Sequence, residues 1–257
     1  MAEKRHELIL RDDQSEFASL FDAARIAQKK GQRLNLIDTG KLDSAELEWL
    51  GEVGANLYSS DEAKRSAQEL MFISKVYSRG GGIVAYFHHG PIEAEEKPGV
   101  VSFSNLKVMG RSGIYLHLSN RERQRSLVAL DELAYDCWKG EAWLVYYHLG
   151  PLEQGLEDLA GSGAWIHLSD LSLQQEKDVT YLLEVIKAAR EAGTNLVLHL
   201  EKGLLITQVR EIMNAGAIVL FKTALSDYKS PFRAFELKTK KQKLDFRTYY
   251  LYLTFLP

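Results

Sequence analysis

The sequence predicts an α/β fold, a (β/α)8 barrel built from four βαβα repeats, with an extra N-terminal strand and helix and a strand-like C-terminal tail. Three observations predict it. Short apolar runs alternate with helical stretches, as in a parallel sheet whose faces are both covered. The alternation recurs in four tandem units, at about residues 33–81, 82–140, 141–193 and 194–240. Eight strands within about 200 residues match a closed barrel, and closure gives equivalent units equivalent places, which an open doubly wound sheet does not.

The elements follow in order. Residues 6–11 (HELILR) read as a strand, and Ser15 to Lys30 as an amphipathic helix whose turns are marked by Phe17, Leu20, Phe21 and Ala24. That strand makes nine in all, one more than a barrel needs: either residues 7–11 stand outside the barrel, which the repeat register favours, or they enter it and the strand at 217–221 is displaced. The first repeat runs LNLIDTGKL, a helix, ANLYSSDE and a helix ending at Arg79. In the second and third, the strands IVAYFHHG and LVYYHLG each end in Gly-Pro, and IYLHLSN and AWIHLSD each end in a serine before an Asn or Asp. The fourth reads LVLHLEKG, a helix and AIVLFKTALSD.

Helix starts are marked by short polar residues and by proline. Asp61, Asn120 and Asp170 each follow a strand-ending serine, where a short oxygen-bearing side chain can accept from open helix N–H groups. Pro91 and Pro151 suit a first helical turn, which places Glu93 and Glu153 inside it as punctuation rather than as catalytic carboxylates.

Composition sets the outer limits. With 257 residues and 46% hydrophobic content, the chain can bury one full core as a single domain. A net charge of −3 gives no general attraction to nucleic acid or an anionic membrane. One cysteine, Cys137, excludes an internal disulfide, and no segment approaches membrane-spanning length, so the expectation is a cytoplasmic protein. The apolar tail RTYYLYLTFLP is expected to plug one barrel end, pair with the N-terminal strand, or form a homodimer contact.

The candidate chemistry lies at the strand ends. Aligning the repeats puts Asp38, His88, His148 and His199 in one register, and Tyr58, His117, His167 and Leu220 in another. Five of the seven histidines fall in these two sets. Three imidazoles and a carboxylate at the mouth form a ligand set for zinc, manganese or iron(II). In that reading His117 and His167 move protons near the metal, and Lys222, at the end of the last strand, holds an anionic group of a small ligand. The reaction class is then metal-assisted hydrolysis or lyase chemistry on a small polar or phosphorylated substrate.

Other readings stay open. Copied repeats carry their residues with them, so the histidines can be structural, bonded to one another or to Tyr58 and Tyr146. Metal-free acid–base or anion-binding roles use the same side chains. Lys222 also suits an ion pair with Asp227, Asp38 or Glu201. The alternative function is a non-catalytic, repeat-built barrel that serves as a scaffold or binds a partner. No dinucleotide, P-loop, zincin or nucleophile-elbow motif is present in the sequence.

Overall fold

The computed structural model describes residues 8–92, 101–121, 123–221 and 225. Lys222, Glu93, the basic run at 238–243 and the C-terminal tail lie outside them.

The fold is an α/β (β/α)8 barrel, and among the described residues nine strands alternate with eight α-helices. The strands are β1 (Leu8–Arg11), β2 (Leu34–Ile37), β3 (Asn56–Ser60), β4 (Val84–His88), β5 (Ile114–Ser119), β6 (Leu144–His148), β7 (Ala164–Ser169), β8 (Leu196–Leu200) and β9 (Ile218–Phe221). The helices are α1 (Phe17–Lys29), α2 (Ser44–Glu52), α3 (Ala67–Arg79), α4 (Phe103–Arg111), α5 (Leu127–Lys139), α6 (Leu156–Gly161), α7 (Glu176–Glu191) and α8 (Ile206–Ala215).

The chain divides into two compact units. One holds the residues up to Leu116 together with Lys139–Ala142, and the other holds His117–Trp138 and the residues from Trp143 onward. In the first unit β1, β2, β3 and β4 pair in parallel in that order. In the second, β6, β7, β8 and β9 do the same.

Every residue of β2, β4, β6, β7 and β8 is buried, which explains why these strands read as apolar runs rather than as alternations. Leu36 and Leu57 in the first unit and Leu168 and Leu198 in the second are among the fully buried or nearly fully buried side chains. Each contributes about 1.5–3 kcal/mol relative to an exposed position.

Helix ends follow one rule. The residue that turns the chain from each helix toward the next strand has positive φ, and in seven of the eight helices it is glycine. The exception is Glu141 after α5, at φ 58°. A side chain in this left-handed region is crowded against its own carbonyl, at a cost of about 1–2 kcal/mol.

Three sequence expectations change here. The N-terminal strand does not stand outside the sheet: β1 pairs with β2 from Leu8 opposite Leu34 to Arg11 opposite Ile37. The turns after β3, β5 and β7 are capped by the serines, since Ser60, Ser119 and Ser169 accept from the N–H groups of Glu62, Arg121 and Leu171. Pro151 does not open a helix either, because α6 begins at Leu156, after Gly155 at φ 97°.

The residue following each serine has a different task. Asp61 accepts from the backbone N–H groups of His89 and Gly90, beyond the next strand. Asn120 does the same for Leu149, and Asp170 for Glu201, Lys202 and Gly203. Asp12, directly after β1, takes the N–H groups of Thr39 and Lys41 and the Thr39 hydroxyl. These four clasps tie β1 to the loop after β2, β3 to that after β4, β5 to that after β6, and β7 to that after β8. Counted this way the series starts at β1, and β9 is the strand left over.

Candidate functional site

The strand register decides which polar side chains can meet. Laterally paired residues of a parallel sheet share a face, and the next residue along the strand points the opposite way. In the second unit, His148 is level with Leu168, which is level with Leu198. His199 is level with Ser169, and Tyr147, His167 and Val197 form the neighbouring level on that same face. His148 and His199 therefore lie on opposite faces of the sheet. Placing them in one layer is an error of a single residue, because LVYYH and LVLHL were matched by their histidines and not by their pairing.

In the first unit, Asp38 and His88 continue the face that carries Leu36, Leu57, Ser59 and Tyr86. Asp38 is held from the α3 side. Arg65, in the turn leading into α3, donates to both of its oxygens at 2.6 and 2.8 Å, and Ser59 Oγ and Gly40 N donate at 2.6 and 3.0 Å. Arg65 also donates to Glu69 at 2.7 Å. Burial opposes the charge on Arg65, but Asp38 and then Glu69 raise its pKa above the usual arginine value. A carboxylate that already accepts four bonds has no lone pair aimed at an open coordination position.

His88 is bound by Asp61, with Nδ1 at 3.1 Å from Oδ1, while Nε2 lies 3.3 Å from the carbonyl of Pro91. Both ring nitrogens thus face oxygen atoms of the protein. Asp61 also accepts from the Tyr86 hydroxyl. Burial pushes its pKa up, yet His88, Tyr86 and the His89 N–H together hold it far below the usual carboxylate range. His148 repeats the contact to the loop, with Nε2 at 2.8 Å from the Pro151 carbonyl. Its Nδ1 faces donors, the Asn120 amide and the Tyr146 hydroxyl, each at 3.4 Å. Burial lowers its pKa, and the Pro151 carbonyl and Glu153 only partly offset this.

The expected ligands Asp38, His88, His148 and His199 are therefore engaged in separate local networks. Among the described residues, no group of three or more His, Cys, Asp or Glu side chains is arranged to hold a metal ion.

The structure does bring together His117, Tyr147, His167 and His199, all within the second unit. His167 Nδ1 lies 3.1 Å from His199 Nε2. Tyr147 packs on His167 with ring centroids 4.6 Å apart, and its hydroxyl lies 3.0 Å from His117 Nδ1. No member of this array is more than 2% exposed. Burial pushes the His117 pKa down to about 3. Burial also lowers His167, reinforced by His199 and His117, and burial alone raises the Tyr147 hydroxyl. The imidazoles of His117 and His167 are thus neutral at pH 7, each with one donor and one acceptor nitrogen. Such rings can pass a proton by exchanging tautomers.

Sequence reasoning found the three histidines but missed Tyr147, whose one-residue offset from His148 puts it on the other face. It also missed Arg65, for which no local signal exists, and the clasp role of Asp12, signalled only by its place after a strand.

No family model and no curated relative matches the sequence. Solved structures that resemble it include a mandelate racemase/muconate lactonizing protein from Herpetosiphon aurantiacus, with TM-score 0.39 and 11% identity, covering 83% of this chain and 53% of that one. This chain therefore spans about half the length of that protein. Deoxyribose phosphate aldolase from Aeropyrum pernix gives TM-score 0.32 at 10% identity, covering 90% and 88% of the two chains. An HpcH/HpaI aldolase from Desulfitobacterium hafniense gives 0.33 at 11%, covering 93% of each. Likenesses at this level carry no argument about chemistry, which rests on the residues themselves.

Proposed function

We propose that the protein is an enzyme that carries out metal-free acid–base chemistry, of the lyase or hydrolase class, on a small polar substrate. The observation that carries this reading is the buried hydrogen bond between His167 and His199, with Tyr147 packed on the His167 ring and its hydroxyl bonded to His117. A buried His–His pair can share one proton across its hydrogen bond, and burial, reinforced by His199, keeps the His167 ring neutral. In this reading His167 and His199 exchange the proton with substrate, and Tyr147, held by His117, packs on the His167 ring. Lys222, outside the described residues, remains the proposed anchor for an anionic substrate group.

The test is solvent exchange at carbon. The purified chain is incubated in D2O with a panel of hydroxy acids, keto acids and sugar phosphates, and loss of C–H signals is followed by NMR. Exchange that disappears in both His167→Asn and His199→Gln, with near-ultraviolet circular dichroism unchanged, supports the reading. Exchange that survives both variants, or none with any compound, removes it.

One observation favours the alternative of a partner-binding barrel. Helix α5 leaves Val128, Tyr135 and Trp138 exposed by 73%, 49% and 55%, with the two aromatic rings stacked on each other. Exposed aromatic side chains of this kind are enriched at partner-binding surfaces. No helix among the described residues is long and apolar enough to cross a membrane.

A further inference from the structure

A cleft of about 540 Å³ opens in the first unit, where the C-terminal ends of α3 and α4 meet residues 139–141. Lys75, Arg79, Arg111 and Lys139 line it, against a single carboxylate, Glu141, and the ring of Tyr115. Arg79, Arg111 and Lys139 each close the last turn of a helix, where a cation complements the helix dipole. That explains each cation singly. It does not explain why four share one cleft in a chain whose net charge is −3.

Backbone packing forces this convergence. A Cβ on Gly140 would come within 2.1 Å of the Gly110 carbonyl oxygen, so the ends of α4 and α5 approach as closely as glycine allows. Arg111 and Lys139 are the chain neighbours of these two glycines, and the contact draws their like charges to the same opening. Like charges held together repel unless an anion lies among them.

A second observation points the same way. Glu141 occupies the left-handed position that glycine fills after the other seven helices, and it is one of the residues lining the cleft. Backbone strain at a cleft, on a residue that adds a functional group there, is the pattern of a binding site. Neither Arg111 nor Lys139 needs to lack protein partners for this, since an arginine or lysine on a protein acceptor still presents further N–H groups.

We infer that this cleft binds a small phosphorylated ligand, its phosphate held by Arg79, Arg111 and Lys139, with Glu141 accepting from a hydroxyl or ammonium group of the same molecule. The site is separate from the proposed acid–base chemistry, since none of its lining residues belongs to the histidine array.

The test uses the full chain, isothermal titration calorimetry at low and constant ionic strength, and two probes, inorganic pyrophosphate and phosphoethanolamine, with sulfate as the control anion. Saturable binding of both probes to the wild type is expected. Arg111→Ala/Lys139→Ala should weaken both by about tenfold or more, as the loss of one or two charge-assisted contacts implies. Glu141→Gly should keep or tighten pyrophosphate while weakening phosphoethanolamine. Arg79→Gln, a change at an exposed position, gives a second reading should the double variant unfold, and it should weaken both probes. The inference is overturned by no saturable binding to the wild type, by sulfate competing as well as pyrophosphate, or by unchanged affinity in Arg79→Gln and in the folded double variant.

Discussion

Asp61 Oδ1 lies 3.1 Å from His88 Nδ1, and the same carboxylate closes the clasp on the His89 and Gly90 N–H groups. The matching place before His148 holds Asn120, which clasps Leu149 through both its oxygen and its nitrogen. One atom separates the two arrangements. It converts a ring bracketed by acceptors into one bracketed by an acceptor and donors.

The exchange can be reversed. Asn120→Asp should raise the pKa of His148 by a unit or more, since a carboxylate beside Nδ1 favours the charged ring. It should also cost about 1 kcal/mol at pH 8, because the Leu149 carbonyl loses its 2.8 Å donor. A proton–carbon NMR titration of the histidine ring signals, with His148 assigned by its glutamine variant, reads the first effect, and urea unfolding reads the second.

Acid should weaken the fold through the buried imidazoles. His117 has a folded pKa of about 3 against an ordinary value of 6.5. Between these values the unfolded chain binds a proton that the folded chain refuses. Its contribution is therefore whole above pH 6.5 and is lost as the pH falls toward 3, at about 1.4 kcal/mol per pH unit. His167 and His148, both lowered, act in the same direction. Urea unfolding at pH 7, 6 and 5 should show this slope, and His117→Phe should reduce it by about one proton. A flat profile in the wild type contradicts the burial argument.

Breaking the Asp38–Arg65 pair should be costly in one direction only. Arg65→Met leaves a carboxylate of 0% side-chain exposure without its cation, at about 3–5 kcal/mol. Adding Asp38→Asn removes the stranded charge, so the double variant should be more stable than Arg65→Met alone. Chemical denaturation of the wild type, of Arg65→Met and Asp38→Asn singly, and of the double variant measures the coupling, and strictly additive losses would contradict the assigned charge pairing.

The fold class was legible because strands buried on both faces are written as unbroken apolar runs, and because nearly every helix ends in glycine. The site was legible only in part. His117 and His167 sit in IYLHLS and AWIHLS, which match in their histidine, leucine and serine, and the structure places both in one array. His88 and His148 end their strands while His199 stands one residue before the end of its own, so matching His199 to them by histidine rather than by lateral pairing slips one residue and exchanges the faces. Hydrogen bonds to a neighbouring strand fix that register, and no single strand's sequence carries them. Arg65 reaches Asp38 across 27 positions, and Asp12 reaches Thr39 across the same span, distances over which side-chain type alone specifies no partner.

The clasps bear on how the polypeptide can be divided. Each joins residues no more than 33 positions apart, and none spans Gly54, Gly113 or Gly163. Opening the backbone at any of these turns leaves every fragment with its own fastenings intact. Co-expressed pieces cut there would rejoin at sheet edges, and at Gly54 also through the Asp38–Arg65 pair, whereas a cut inside any clasp would release a loop from the strand that anchors it.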